Sequence, residues 1–190
     1  LAPALRRHDP DPDRLVDTWA KRFVSTAGPT RTAALLAGIT RAIQAEFRYE
    51  PRQAAGTRPA PETLRLGSGA CRDFTLLMME ACRSLGLAAR FVSGYLYDPA
   101  MVDAARPMVG GGATHAWCEV YVPGAGWVEF DPTNGLVAGR NLIRVAVART
   151  PEQAVPIGGW WIGDPASHRG MEVSVEAQAG SPAGASVASA

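Results

Sequence analysis

The sequence predicts an α+β fold, with helices first and an antiparallel sheet after them. Three observations carry this. Apolar residues recur at helical spacing through the first half of the chain, a period of two takes over at Ala89, and the turn Pro123–Gly126 joins two alternating segments into a hairpin.

Taken in order, the opening LAPALRRHDPDPD is rich in Pro and Asp and reads as a leader or linker over residues 1–12. Leu15, Trp19 and Phe23 share a helical face, with the helix expected to end near Gly28-Pro29. Thr30 is placed to cap a second helix, in which Leu35, Ile39, Ala42 and Ile43 line one side. From Pro51 to Gly69 the chain reads as a loop, with a helical turn at Glu62–Leu66. Phe74, Leu77, Met78, Ala81, Cys82 and Leu85 then mark a core-facing helix that begins at Cys71, and Gly86 stands where a left-handed C-cap belongs. Strands follow at Ala89–Tyr97, His115–Val122 and Trp127–Thr133, with two more expected at Leu142–Ala148 and Met171–Glu176. A Gly-rich excursion from Asp98 to Ala113 reads as a flap before His115, and the Ala/Gly/Ser/Pro tail at 178–190 reads as disordered. The expected domain is therefore 13–177.

Bulk properties exclude several function classes. A chain of 190 residues supports one sizeable core, and a net charge of +1 gives no pull toward nucleic acid or anionic membrane. No apolar run reaches the length of a membrane span, and three cysteines do not make a disulfide framework; a reducing, cytoplasmic setting is the expectation. Lys21 is the only lysine, so the chain offers few amines for self-crosslinking. The first residue is Leu rather than Met, and a piece of a longer protein is expected.

The residues that suggest chemistry are Cys71, His115 and Asp131. Cys71 follows Gly67-Ser68-Gly69-Ala70 and opens a helix, where unpaired N–H groups and the helix dipole favour a thiolate. Its own N–H could face a developing oxyanion. A thiol nucleophile needs an imidazole to take its proton, and the imidazole needs a third group to fix its tautomer. With Tyr121 opposite Trp127, Trp117 falls opposite Asp131 and His115 becomes a diagonal neighbour of that carboxylate. The helix bearing Cys71 is then expected to pack on the face that carries His115. Each residue alone has a plainer reading: a packed cysteine, a hydrogen-bonded strand histidine, a turn-forming Asp-Pro. Together they favour catalysis.

The segments GACRDFTLLMMEACRSLGLAARFVSGYLY and THAWCEVYVPGAGWVEFDPTNG resemble the core of bacterial transglutaminase-like proteins, most specifically through Gly69–Gly135. The resemblance implies a papain-like, transglutaminase-core fold, with the catalytic cysteine at a helix start packed on an antiparallel sheet. It implies Cys71 as nucleophile, His115 as general base and Asp131 as orienter, acting on amide bonds through a thioester. Hydrolysis of peptide or glutamine-type amides is favoured; amine-accepting crosslinking, or a non-catalytic binding module on the same fold, are the alternatives. The expected partner is a protein or peptide substrate, with no nucleic acid and no membrane, and a β-rich domain of the same parent protein is expected to precede the core. Cofactors and metals are expected to be none, since no acidic cluster suggests the calcium sites of animal transglutaminases.

The order of Cys, His and Asp also suits arylamine N-acetyltransferases and NlpC/P60 endopeptidases, but Ala70-Cys71-Arg72-Asp73 fits neither motif. Cys118 stands where the family usually has an aliphatic residue, and Trp160-Trp161 replaces smaller ones. A second oxyanion donor is not assignable between Tyr49 and the loop before Cys71. His115 and Cys118 lie three apart on a strand and so point to opposite faces, which argues against a shared zinc. Cys82 reads as packing, and His8 and His168 have no partner in view.

Overall fold

The computed structural model describes residues 1–52, 54–97, 113–139, 141–156, 159, 162–167, 170 and 175. The Gly-rich excursion, Trp160-Trp161, His168, the strand expected over Met171–Glu176 and the tail lie outside these residues, apart from Ala113 and Val175. The helices are α1 (Ala2–Leu5), α2 (Leu15–Lys21), α3 (Thr32–Glu46), α4 (Ala60–Leu66) and α5 (Cys71–Ser84). The strands are β1 (Arg48–Tyr49), β2 (Ser68–Gly69), β3 (Ala89–Leu96), β4 (Thr114–Val122), β5 (Gly126–Asp131), β6 (Leu136–Val137) and β7 (Leu142–Ala148). Five strands form one antiparallel sheet in the order β6-β5-β4-β3-β7, and β1 pairs with β2 in parallel.

The expected α+β class holds. Helix α5 packs on the sheet, and α2, α3 and α4 cover its other sides, so Phe74, Leu76, Leu77, Met78, Met79, Ala81 and Cys82 are all buried. The main core takes Ala116, Cys118 and Val120 from β4, Phe91 from β3 and Phe130 from β5. An edge-to-face series of rings, Trp19–Phe47, Phe47–Phe74 and Tyr49–Phe74, runs from α2 to β1 with centroids 6.0–6.4 Å apart.

Two helix boundaries differ from expectation. Helix α3 begins at Thr32, because Thr30 Oγ1 accepts the Ser25 N–H (2.8 Å) instead of capping the helix. Helix α2 stops at Lys21, and its first amides are capped from outside by Asp11, whose carboxylate accepts the N–H groups of Leu15 (2.8 Å) and Val16 (3.1 Å).

Residues 1–12, read above as a leader or linker, are bonded to α5. Glu80 has no exposed side-chain surface, and its carboxylate accepts Arg7 Nε (2.9 Å), the His8 N–H (3.0 Å) and the Asp9 N–H (3.3 Å), and pairs with Arg83 Nη1 (3.0 Å). Arg83 also donates to the carbonyls of Ala4 (3.1 Å), Ala89 (2.9 Å) and Arg149 (2.7 Å). Removing one member of a buried ion pair costs about 3–5 kcal/mol, because the other is left unpaired. Glu80→Ala should therefore lower the urea-unfolding free energy by about that much. A loss below about 1 kcal/mol, the value of a surface pair, would show that residues 7–9 do not hold to α5 in solution.

Candidate active site

Cys71 is the first residue of α5, where the amides have no intrahelical partner. Asp73, fully buried, fixes this end: its carboxylate accepts the Ala70 N–H (3.0 Å), Arg52 Nη2 (3.0 Å) and the Arg58 N–H (2.8 Å). Arg72 reaches outward and donates to the carbonyls of Arg52 (2.9 Å), Ala54 (2.6 Å) and Gly56 (2.7 Å). The two residues after the cysteine thus tie the loop at 52–58 to the start of the helix. Cys71 is partly exposed, whereas Cys82 and Cys118 are buried. Burial pushes the Cys82 thiol up to about 12, against the opposing charge of Arg83. It also raises Cys118 well above the usual thiol value, helped by the nearby charges of Cys82 and Asp131.

His115 Nε2 lies 2.8 Å from Asp131 Oδ2, and neither side chain has exposed surface. Burial alone would lower the imidazole's proton affinity, but the hydrogen bond to Asp131, then the nearness of the Cys71 sulfur and the charges of Asp131 and Cys71, overcome it and push the pKa up to about 10. Asp131 is held below the usual carboxylate range: burial raises it, and the bonds from His115 and Asn134 outweigh burial. Among the described residues Nδ1 of His115 has no aligned hydrogen bond, so the Cys71 thiol couples to the ring without a formed bond, a relation common before substrate binds. Tyr49, paired with Gly69, lies close enough to Cys71 for its phenol to be raised by burial and then by the cysteine's charge.

The structure thus brings the three expected residues together, and the hairpin register is as expected, Tyr121 opposite Trp127. The expected placement of α5 is corrected. The helix packs on the face of β4 that carries Ala116, Cys118 and Val120, and not on the face of His115 and Trp117. The reason is packing: the helix flank needs small and aliphatic partners, which the even positions supply. Only the helix end meets His115, near the start of β4.

Three site-shaping residues escape a reading of the sequence. Gly94 pairs with His115 at a bulge, where β3 shifts register against β7. A Cβ there would lie 2.1 Å from the Ile143 carbonyl oxygen and 2.8 Å from the Trp117 ring. That ring stacks on His115 at 6.1 Å, and its Nε1 donates to Glu129 (3.3 Å). Asn134 contacts Asp131, and Gln44 of α3 contacts Asn134. A lone glycine in a strand pattern was the available signal for the bulge. Nothing local announces Gln44.

The sequence profile described as the Transglutaminase-like superfamily matches residues 17–132, and the chain belongs to that superfamily. An uncharacterized Mycobacterium tuberculosis protein is 30% identical over 156 residues, 80% of this chain and 49% of the relative. An uncharacterized Mycobacterium leprae protein is 34% identical over 108 residues, 57% of this chain and 37% of the relative. The chain thus spans half or less of these relatives. Among solved structures, a Cytophaga hutchinsonii protein provisionally named a cysteine protease matches with a TM-score of 0.64 and 24% identity, over 80% of this chain and 48% of that one. The periplasmic domain of Pseudomonas aeruginosa TgpA matches with a TM-score of 0.52 and 22% identity, over 70% and 46% of the two chains. Both likenesses establish the fold. Within the described residues no helix is long and apolar enough to cross a membrane.

The raised pKa of His115 has a signed consequence. Its folded value of about 10 exceeds the unfolded value near 6.5, so its stabilising contribution is full below pH 6.5 and is lost as pH rises through 10. The stability advantage of the wild type over His115→Gln should therefore shrink between those values in denaturant titrations. An advantage independent of pH would show that the imidazolium–Asp131 pair does not form.

Proposed function

We propose that this chain is a thiol-dependent enzyme acting on amide bonds of a protein or peptide, with hydrolysis as the net reaction. The observation that carries the reading is a buried His115 bonded to Asp131 beside Cys71, the one partly exposed thiol of the three.

In this mechanism the Cys71 sulfhydryl proton has already passed to Nδ1 of His115 in a resting thiolate–imidazolium pair, and Sγ attacks the amide carbonyl carbon. The elevated proton affinity of the imidazole favours that transfer, and Asp131 holds the Nε2–H and balances the imidazolium. The oxyanion forms against the amides at the start of α5, with the Cys71 N–H as the first donor. The C–N bond breaks as the nitrogen takes the proton from Nδ1, leaving a thioester. Water then loses a proton to Nδ1 and adds to the thioester; the acid departs, and the thiolate–imidazolium pair is restored. Tyr49 is the side chain placed to offer a second donor, since its phenol lies within electrostatic reach of Cys71.

Iodoacetamide labelling near neutral pH with peptide mapping tests the nucleophile. Cys71 should react at least tenfold faster than Cys82 or Cys118, and His115→Ala should remove most of that difference, as expected when an imidazole activates the thiol. Equal reactivity of the three thiols, or an unchanged rate in His115→Ala, would sink the reading. A glutaminyl peptide with and without a primary amine then separates outcomes, and amine incorporation that matches or exceeds hydrolysis would replace hydrolase with transferase.

A further inference from the structure

The turn that follows β5 is built around the Asp131 carboxylate. Oδ1 accepts the N–H groups of Thr133 (2.9 Å) and Asn134 (3.3 Å). Oδ2, the oxygen bonded to His115 Nε2 at 2.8 Å, also accepts Asn134 Nδ2 at 2.8 Å. The side-chain amide therefore reaches the same oxygen as the imidazole and fixes where its remaining lone-pair direction points. Hydrogen bonds to a charged group are stronger than neutral ones and more demanding of direction.

Asn134 is itself held from a different layer. Gln44 of α3 donates its Nε2–H to the Asn134 carbonyl (3.0 Å). Gly135, at φ +68°, lies against that glutamine so closely that a Cβ would fall 2.3 Å from Gln44 Oε1. The backbone of the turn is thus pinned on one side by Gln44 and on the other by the carboxylate it serves.

We propose that Asn134 is a positioning residue for the Cys71–His115 pair: by donating to Asp131 Oδ2 it sets the carboxylate that orients the imidazole, and Gln44 clamps the turn that carries it. The inference rests on the thiol-enzyme reading above and adds to it a layer outside the three residues. The titratable groups within electrostatic reach of Asp131 are His115, which faces it, and Cys118 on the other face of β4, with Cys71 of α5 behind the imidazole. Cys118 stays a thiol across the working pH range, so it does not confuse the titration.

The test is the pH–rate profile for iodoacetamide labelling of Cys71 in the wild type, Asn134→Ala, Asn134→Asp, Gln44→Ala and His115→Ala, with thermal unfolding of each. Asp is as good a turn former as Asn but when ionised cannot donate, so Asn134→Asp keeps the turn and replaces the bond with a like-charge contact to Asp131. The rate should fall about tenfold in both Asn134 variants. In Asn134→Ala the acid limb should move to higher pH, because Asp131 loses a donor that favours its charged form. Gln44→Ala should give a smaller fall, with the acid limb unmoved. If Asn134→Asp labels like the wild type while His115→Ala loses its rate, the thiol-enzyme reading stands and the role of Asn134 is overturned. A rate insensitive to His115→Ala overturns both. Should Asn134→Ala fail to fold, the isosteric Asp variant still decides.

Discussion

Helix α5 is buried along its length while carrying charges, and much of what surrounds it exists to answer them. Asp73, Glu80 and Arg83 are each buried, and an ion taken out of water without partners costs several kcal/mol. Most partners come from far away in sequence: residues 7–9 for Glu80, the carbonyls of Ala4 and Arg149 for Arg83, and Arg52 and Arg58 for Asp73. Ion pairs such as Arg22–Glu46 and Arg65–Asp13 sit in solvent and are worth at most about 1 kcal/mol each. The buried set therefore decides how the chain wraps the helix, and with it where Cys71 stands.

A second desolvated pair sits in the sheet. Burial opposes charge on both His115 and Asp131, yet each strengthens the charged form of the other. The carboxylate can stay ionised there because backbone and side-chain donors from Thr133 and Asn134 replace water. Trp117 closes one side of the imidazole, and Gly94 leaves the room that ring needs. The site thus joins two polar arrangements, one at a helix end and one on a strand pair, with His115 Nδ1 left without a hydrogen bond between them.

Much of this was legible in the sequence because it follows local periodicity. The spacing of Phe74, Leu77, Met78, Ala81 and Cys82 gave the buried side of α5, and the alternation around Pro123–Gly126 gave the register that brings His115 to Asp131. What stayed hidden depends on contacts between distant segments. A Pro/Asp-rich opening looks like a linker until Glu80 is seen to bind its amides. Strand parity tells which side chains share a face but not which face a helix will take, so α5 was expected on the wrong one. Gln44 reads only as a polar residue of an amphipathic helix, since its partner lies ninety positions further on.

Because the thiol belongs to the helix layer and the imidazole to the sheet layer, their separation measures how those layers are seated on each other. Cys82, Cys118 and Phe130 lie in the seam. A misplacement of about 1 Å between reacting groups can cost a hundredfold in rate, while the same shift in a core is a modest change in packing energy. On the proposed mechanism, reactivity at Cys71 is accordingly a finer gauge of the buried seam than stability is, and substitutions remote from Cys71 would silence the thiol in a chain that still melts normally.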